Sequence, residues 1–158
     1  MNARTKKAVY ADLAGELREL LAGERDAVAN MANFAALVFH ALPDLNWAGF
    51  YRLVGDELVL GPFQGKPACI RIGLGRGVCG TAALRRQTVV VPDVHQFPGH
   101  IACDGASNSE IVVPLIAPRG DRLCGVLDLD SPLIGRFDAD DQQGLEPLVA
   151  ILLATSDV

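Results

Sequence analysis

Two tight reversals constrain what this chain can fold into. Strand-like runs at Trp47–Val54 and residues 57–60 are separated only by Gly55-Asp56, a pair that signals a hairpin between such runs. A second pair of runs, 110–116 and 123–130, surrounds the turn Ala-Pro-Arg-Gly-Asp-Arg at 117–122. Connections this short join antiparallel neighbours, because a parallel crossover needs about a dozen residues or more. The chain is therefore expected to build a mainly antiparallel sheet.

Helices should flank it. Tyr10, Leu13, Leu17, Leu20 and Leu21 recur at helical spacing over 7–22, and Gly23 stops the pattern. Residues 26–42 read as a second helix, apolar on most sides and ended by Pro43. After a loop at 61–68 and a short extended segment at 69–72, a glycine-rich turn leads into a short helix near 78–86. Residues 88–91 read as a buried strand. A final helix should start at Asp138, a good N-cap residue. Pro147 should kink that helix or mark the start of its regular part. The expected class is α+β, with helices on one face of the sheet and long loops covering the other.

The chain has 158 residues, 50% of them hydrophobic and 21% charged. A single domain over 1–158 is expected, with no second module to receive a signal. A net charge of −5 argues against a phosphate-binding surface, so no nucleic-acid partner is expected. No apolar run is long enough to span a bilayer, so no membrane partner is expected either. The N-terminus lacks the apolar run of a signal peptide. A cytoplasmic location with reduced thiols is the expectation.

No pair among Cys69, Cys79, Cys103 and Cys124 has the close spacing of a zinc knuckle, about two to four residues. Nor is there a redox C-x-x-C. No metal or other cofactor is expected. The remaining uses are a catalytic thiol, a resolving thiol or a small buried hydrophobe. Cys103 lies in Gly-His-Ile-Ala-Cys-Asp, inside the long polar connection 92–109. His100 could favour its thiolate if protonated, or could simply pin the loop. Cys69 stands at a loop–strand junction. Cys79 sits in Gly-Val-Cys-Gly, where a small residue is needed, and Cys124 is embedded in a strand and expected to pack in the core.

Asp128 and Asp130 are two apart and so project from one face of a strand. Glu110 opens the strand that should pair with it. Three acids could converge there, or the face could be solvated. Converging carboxyls repel, so at least one should keep its proton near neutral pH. Trp47 and Tyr51 also share a face, either as core or as the lining of a small apolar slot. The segment Gly-Leu-Gly-Arg-Gly-Val-Cys-Gly is only loosely like a phosphate loop and lacks the Gly-Lys-Ser/Thr ending.

Taken together, the segments N-W-A-G-F-Y, L-G-P-F-Q-G, G-R-G-V-C-G-T-A-A, V-P-D-V-H-Q-F-P-G-H-I-A-C-D, S-E-I-V-V-P-L and G-V-L-D-L-D-S-P resemble the free methionine-(R)-sulfoxide reductases, which are built on a GAF domain. The resemblance covers nearly the whole chain. It implies Cys103 as catalytic cysteine, Cys69 as resolving cysteine and Cys79 as a third cysteine of secondary role. It implies that Glu110, Asp128 and Asp130 line the substrate pocket, with Trp47 and Tyr51 beside the substrate methyl. It further implies a homodimer recycled by a thioredoxin-like reductant, through a sulfenic acid and an intramolecular disulfide. Cys124 stands where an aliphatic residue is usual. The alternative is a non-catalytic GAF sensor of a small molecule or of redox state.

Overall fold

A computed structural model describes residues 4–101 and 105–158. In chain order the elements are α1 (Lys6–Leu21), α2 (Ala27–Ala41), β1 (Trp47–Val54), β2 (Glu57–Gly65), β3 (Arg71–Gly73), α3 (Gly77–Arg85), β4 (Val89–Val91), β5 (Ser109–Ile116), β6 (Leu123–Ser131) and α4 (Ala139–Thr155). A short 3-10 turn at Val94–Gln96 lies between β4 and β5. The strands form one six-stranded sheet in the order β3-β2-β1-β6-β5-β4. Every neighbouring pair is antiparallel, the two hairpins β1–β2 and β5–β6 among them.

The period-2 alternation of the central strands sorts their side chains into two cores. On one face Ala48, Phe50, Leu127 and Leu129 pack with Leu17, Phe34, Leu145 and Leu152 of α1, α2 and α4. On the other, Trp47, Tyr51, Val112 and Val126 pack with Val78, Ala82 and Ala83 of α3. This corrects the expectation that all helices share one face: α3 lies with the loops on the opposite side. Its approach depends on Gly80, where a Cβ would stand 2.4 Å from the Gly73 carbonyl oxygen.

Helix starts follow their caps. The Asp26 carboxylate accepts the Ala29 N–H at 2.9 Å, and Asp138 forms a reciprocal capping box with Asp141. Asp141 is fully buried, yet it is well satisfied. It accepts from Tyr10 Oη at 2.7 Å, Lys6 Nζ at 2.6 Å and Arg136 Nη1 at 3.3 Å, which ties α1 to α4. The Tyr10 ring lies against Gly144, where a Cβ would come within 2.1 Å of it.

Three further expectations change. β2 runs on to Gly65 and absorbs most of the expected 61–68 loop. The register moves from Gly49↔Phe63 to Tyr51↔Leu60, so β2 carries one extra residue beside Gly61-Pro62. Such a bulge accommodates a proline that cannot donate to the ladder. β4 is an edge strand in which only Val91 is buried, not a buried strand. α4 is a continuous helix with Pro147 inside it, so the regular part does not start at Pro147. Leu145 before the proline and Leu148, Val149 and Leu152 after it are all buried, and this packing holds the helix together across the missing N–H. Cys124 is half-buried against the helix-side core as a free thiol. Among the described residues no helix is long and apolar enough to cross a membrane.

Candidate active site

The sheet register assembles the site. Glu110 on β5 lies opposite Asp130 on β6, which in turn lies opposite Trp47 on β1. One row further, Val112, Asp128 and Gly49 face one another in the same way. Directly opposed residues share a sheet face, so the three acids and Trp47 do converge on one side. This excludes the solvated-face reading: Glu110 and Asp128 are buried and Asp130 is half-buried.

Trp47 and Tyr51 also share that face. Their rings stack with centroids 6.0 Å apart, and Phe63 stacks on Trp47 at 5.2 Å. Phe63 falls in the segment expected to be a loop, and sequence reasoning missed it. The indole N–H donates to the Lys66 carbonyl at 3.1 Å, which fixes the ring. Gly49 makes room for this stack: a Cβ there would sit 2.8 Å from Trp47 Cη2 and 2.3 Å from Phe63 Cβ. Tyr51 Oη donates to the Cys69 carbonyl at 2.9 Å, which anchors the Cys69 backbone beside the aromatic pair.

Helix α3 closes the pocket from above the acids. Cys79, on its first turn, is a buried free thiol whose Sγ donates to Glu110 Oε1 at 3.9 Å. Ligand atoms of Cys79, Glu110 and Asp128 all lie within 4.8 Å of one another. These three are the described residues that could hold a metal ion together. Chain spacing could not show this, because they sit on α3, β5 and β6. Asp128 Oδ1 is buried there with no hydrogen-bond partner.

The electrostatics follow from this crowding. Burial, then the neighbouring Asp128 and Asp130, pushes the Glu110 carboxyl well above its ordinary range. Burial also raises Asp128, against a smaller opposing effect of hydrogen bonds with Glu110 and Cys79. Burial, followed by the acids, pushes the Cys79 thiol up, so it stays protonated. Burial and then Asp128 raise Tyr51, keeping its phenol a donor. Glu110, Asp128, Cys79 and Tyr51 therefore all hold their protons more tightly than they would in water.

The pocket is completed by Ala68, Ile72, Arg76, Ile101 and Ser107, none of which the sequence singled out. Arg76 has a signal in Gly-Leu-Gly-Arg-Gly, but the pattern there resembles a phosphate loop more than a pocket wall. His100 lines the pocket as well, and burial, then His95, lowers its pKa. That disfavours an imidazolium as the group that would stabilise a thiolate. Cys103 lies outside the described residues. The segments flanking it, at Ile101 and Ser107, border the pocket, and Asn46 Nδ2 donates to Ser107 Oγ at 3.0 Å to hold one of them.

Comparisons with known proteins agree on the family. The GAF domain model matches residues 7–155. The free methionine-R-sulfoxide reductase of Escherichia coli K12 is 56% identical over 155 residues, covering 96% of this chain and 93% of that protein. The crystal structure of a GAF sensor protein from Burkholderia vietnamiensis superposes with a TM-score of 0.94 at 59% identity, covering 97% of this chain and 96% of that one. The X-ray structure of the free methionine-R-sulfoxide reductase from Neisseria meningitidis, in complex with its substrate, gives a TM-score of 0.92 at 46% identity, covering 98% and 92%. The chain belongs to the GAF-domain family of free methionine-R-sulfoxide reductases.

Proposed function

We propose that this chain reduces free methionine-(R)-sulfoxide to methionine, with Cys103 as nucleophile and Cys69 as resolving thiol. The observation that carries the reading is the pocket's division into two ends. One end is the Trp47–Tyr51 stack, and the other is a buried acid cluster in which Asp128 Oδ1 lacks a partner. A sulfoxide with a methyl on one side and a strong acceptor oxygen on the other matches both.

In this reading the aromatic pair holds the methyl. The Glu110–Asp128 pair, whose pKa values are raised, donates a proton toward the sulfoxide oxygen. The half-buried Asp130 takes the substrate ammonium, and Arg76, which lines the same pocket, takes the substrate carboxylate. The Cys103 thiolate attacks the sulfoxide sulfur. The S–O bond breaks, the oxygen ends on Cys103 as a sulfenic acid, and methionine leaves two electrons richer. The Cys69 thiol then displaces water from the sulfenic acid, forming a Cys69–Cys103 disulfide. A thioredoxin-like dithiol returns both to thiols by exchange. Cys79, protonated and bonded to Glu110, holds the acid in place more readily than it attacks. A homodimer in the cytoplasm belongs to the same reading.

The test is direct. Reduced protein with free methionine-(R)-sulfoxide and excess dithiothreitol should release methionine over many turnovers, and the S epimer should not be consumed. No turnover of either epimer would favour the sensor reading, the description carried by the B. vietnamiensis relative.

A further inference from the structure

We propose that Cys79, Glu110 and Asp128 form a binding site for zinc ion at the floor of the pocket. Their ligand atoms lie within 4.8 Å of one another, and each residue is at most 6% exposed. Zinc bonds sulfur at about 2.3 Å and carboxylate oxygen at about 2.0–2.2 Å. The two bonds laid end to end would span about 4.4 Å. The 3.9 Å between Cys79 Sγ and Glu110 Oε1 therefore fits a bent S–Zn–O angle, and a ligand pair at the 4.8 Å limit would have to draw in by a few tenths of an ångström. Asp128 closes the set from the neighbouring strand, and its Oδ1 is buried with no hydrogen-bond partner.

The donor set selects the metal. One sulfur with two carboxylates suits a borderline cation, whereas calcium and magnesium prefer oxygen alone. Cys79 would coordinate as thiolate and release its proton to solvent. The dication would offset the negative charge that the thiolate and carboxylates carry once their protons have left. Three protein ligands leave the pocket side open for a fourth, as in zinc sites that exchange a ligand. On the reductase reading above, the ion occupies the acids that a sulfoxide needs, so zinc and substrate exclude each other.

The experiment titrates reduced protein carrying Cys69→Ser and Cys103→Ser with zinc chloride by calorimetry, so that the other proposed thiol pair cannot bind the metal. One equivalent should bind, and adding Cys79→Ala or Asp128→Asn should each weaken it about tenfold or more. X-ray absorption at the zinc edge, on the protein with Cys79, Glu110 and Asp128 intact, should show one sulfur with oxygen filling the remaining shell. No binding, affinity unchanged in both added variants, or a shell with two sulfurs or none would overturn the proposal. Methionine formation by the unsubstituted protein in zinc-free buffer tests the reductase reading separately.

Discussion

Cys79 Sγ directs its hydrogen at Glu110 Oε1 across 3.9 Å, from the first turn of α3 to the start of β5. The contact joins a helix and a strand that nothing in the local sequence would pair. It uses the thiol form of Cys79, since a thiolate has no hydrogen to donate.

A pH dependence follows. Glu110 has an ordinary value of 4.5 and is raised well above it by burial and by Asp128 and Asp130. The folded state thus keeps a proton that the unfolded state loses. Stability from this group is full below about pH 4.5 and declines as pH rises toward the raised folded value. Melting temperature should fall more steeply with rising pH in the wild type than in Glu110→Gln. The rate kcat should fall over the same range, because the proton donor is lost. Parallel melting profiles for the two proteins would contradict this electrostatic account.

Gly49→Ala should damage the pocket from outside the chemistry. Its Cβ would clash with Trp47 Cη2 and with the Phe63 Cβ opposite. A loss of about 1–3 kcal/mol in stability is expected from overpacking. A rise in KM should accompany it as the aromatic slot shifts, while the folded fraction at low temperature still turns over. Urea melts and steady-state kinetics on one preparation check both.

Asp141 should matter for folding and not for catalysis. It is fully buried and accepts hydrogen bonds from Tyr10, Lys6 and Arg136 on the helix side of the sheet. Asp141→Ala strands the Arg136 guanidinium, whose side chain is 7% exposed, and should cost about 3–5 kcal/mol. At a temperature where the variant is folded, kcat should stay within about twofold of wild type, since the group sits across the sheet from the site.

These effects divide along the line of what the chain shows on its own. The hairpins, the common face of Asp128 and Asp130, and the Asp138 cap are local patterns of period two or of single positions, and they read directly from sequence. The placement of α3 is different. It depends on Gly80 meeting the Gly73 carbonyl, a contact between backbones that side-chain periodicity does not report. Phe63 was hidden because Gly61 and Pro62 read as loop, when they mark a bulge. Cys79 beside Glu110 and Asp128 needed the sheet register and the helix position together.

Substrate choice tests the acid end. Asp130 lies in the row of Glu110 and Trp47, half-buried at the pocket wall. If it reads the ammonium, N-acetylmethionine sulfoxide should lose kcat/KM by two orders of magnitude or more, roughly the effect of leaving a charged partner unpaired. Asp130→Asn should shrink that difference. Equal kcat/KM for the two substrates would assign the acids to the sulfoxide alone.

The most direct measurement counts methionine formed per enzyme in a single turnover without reductant. Wild-type protein, reduced and desalted, should give about one equivalent of methionine and a disulfide between Cys69 and Cys103. Cys69→Ser should also give one equivalent and then stop with Cys103 as sulfenic acid. Cys103→Ser should give none. One equivalent of methionine from Cys103→Ser would contradict the account at its centre.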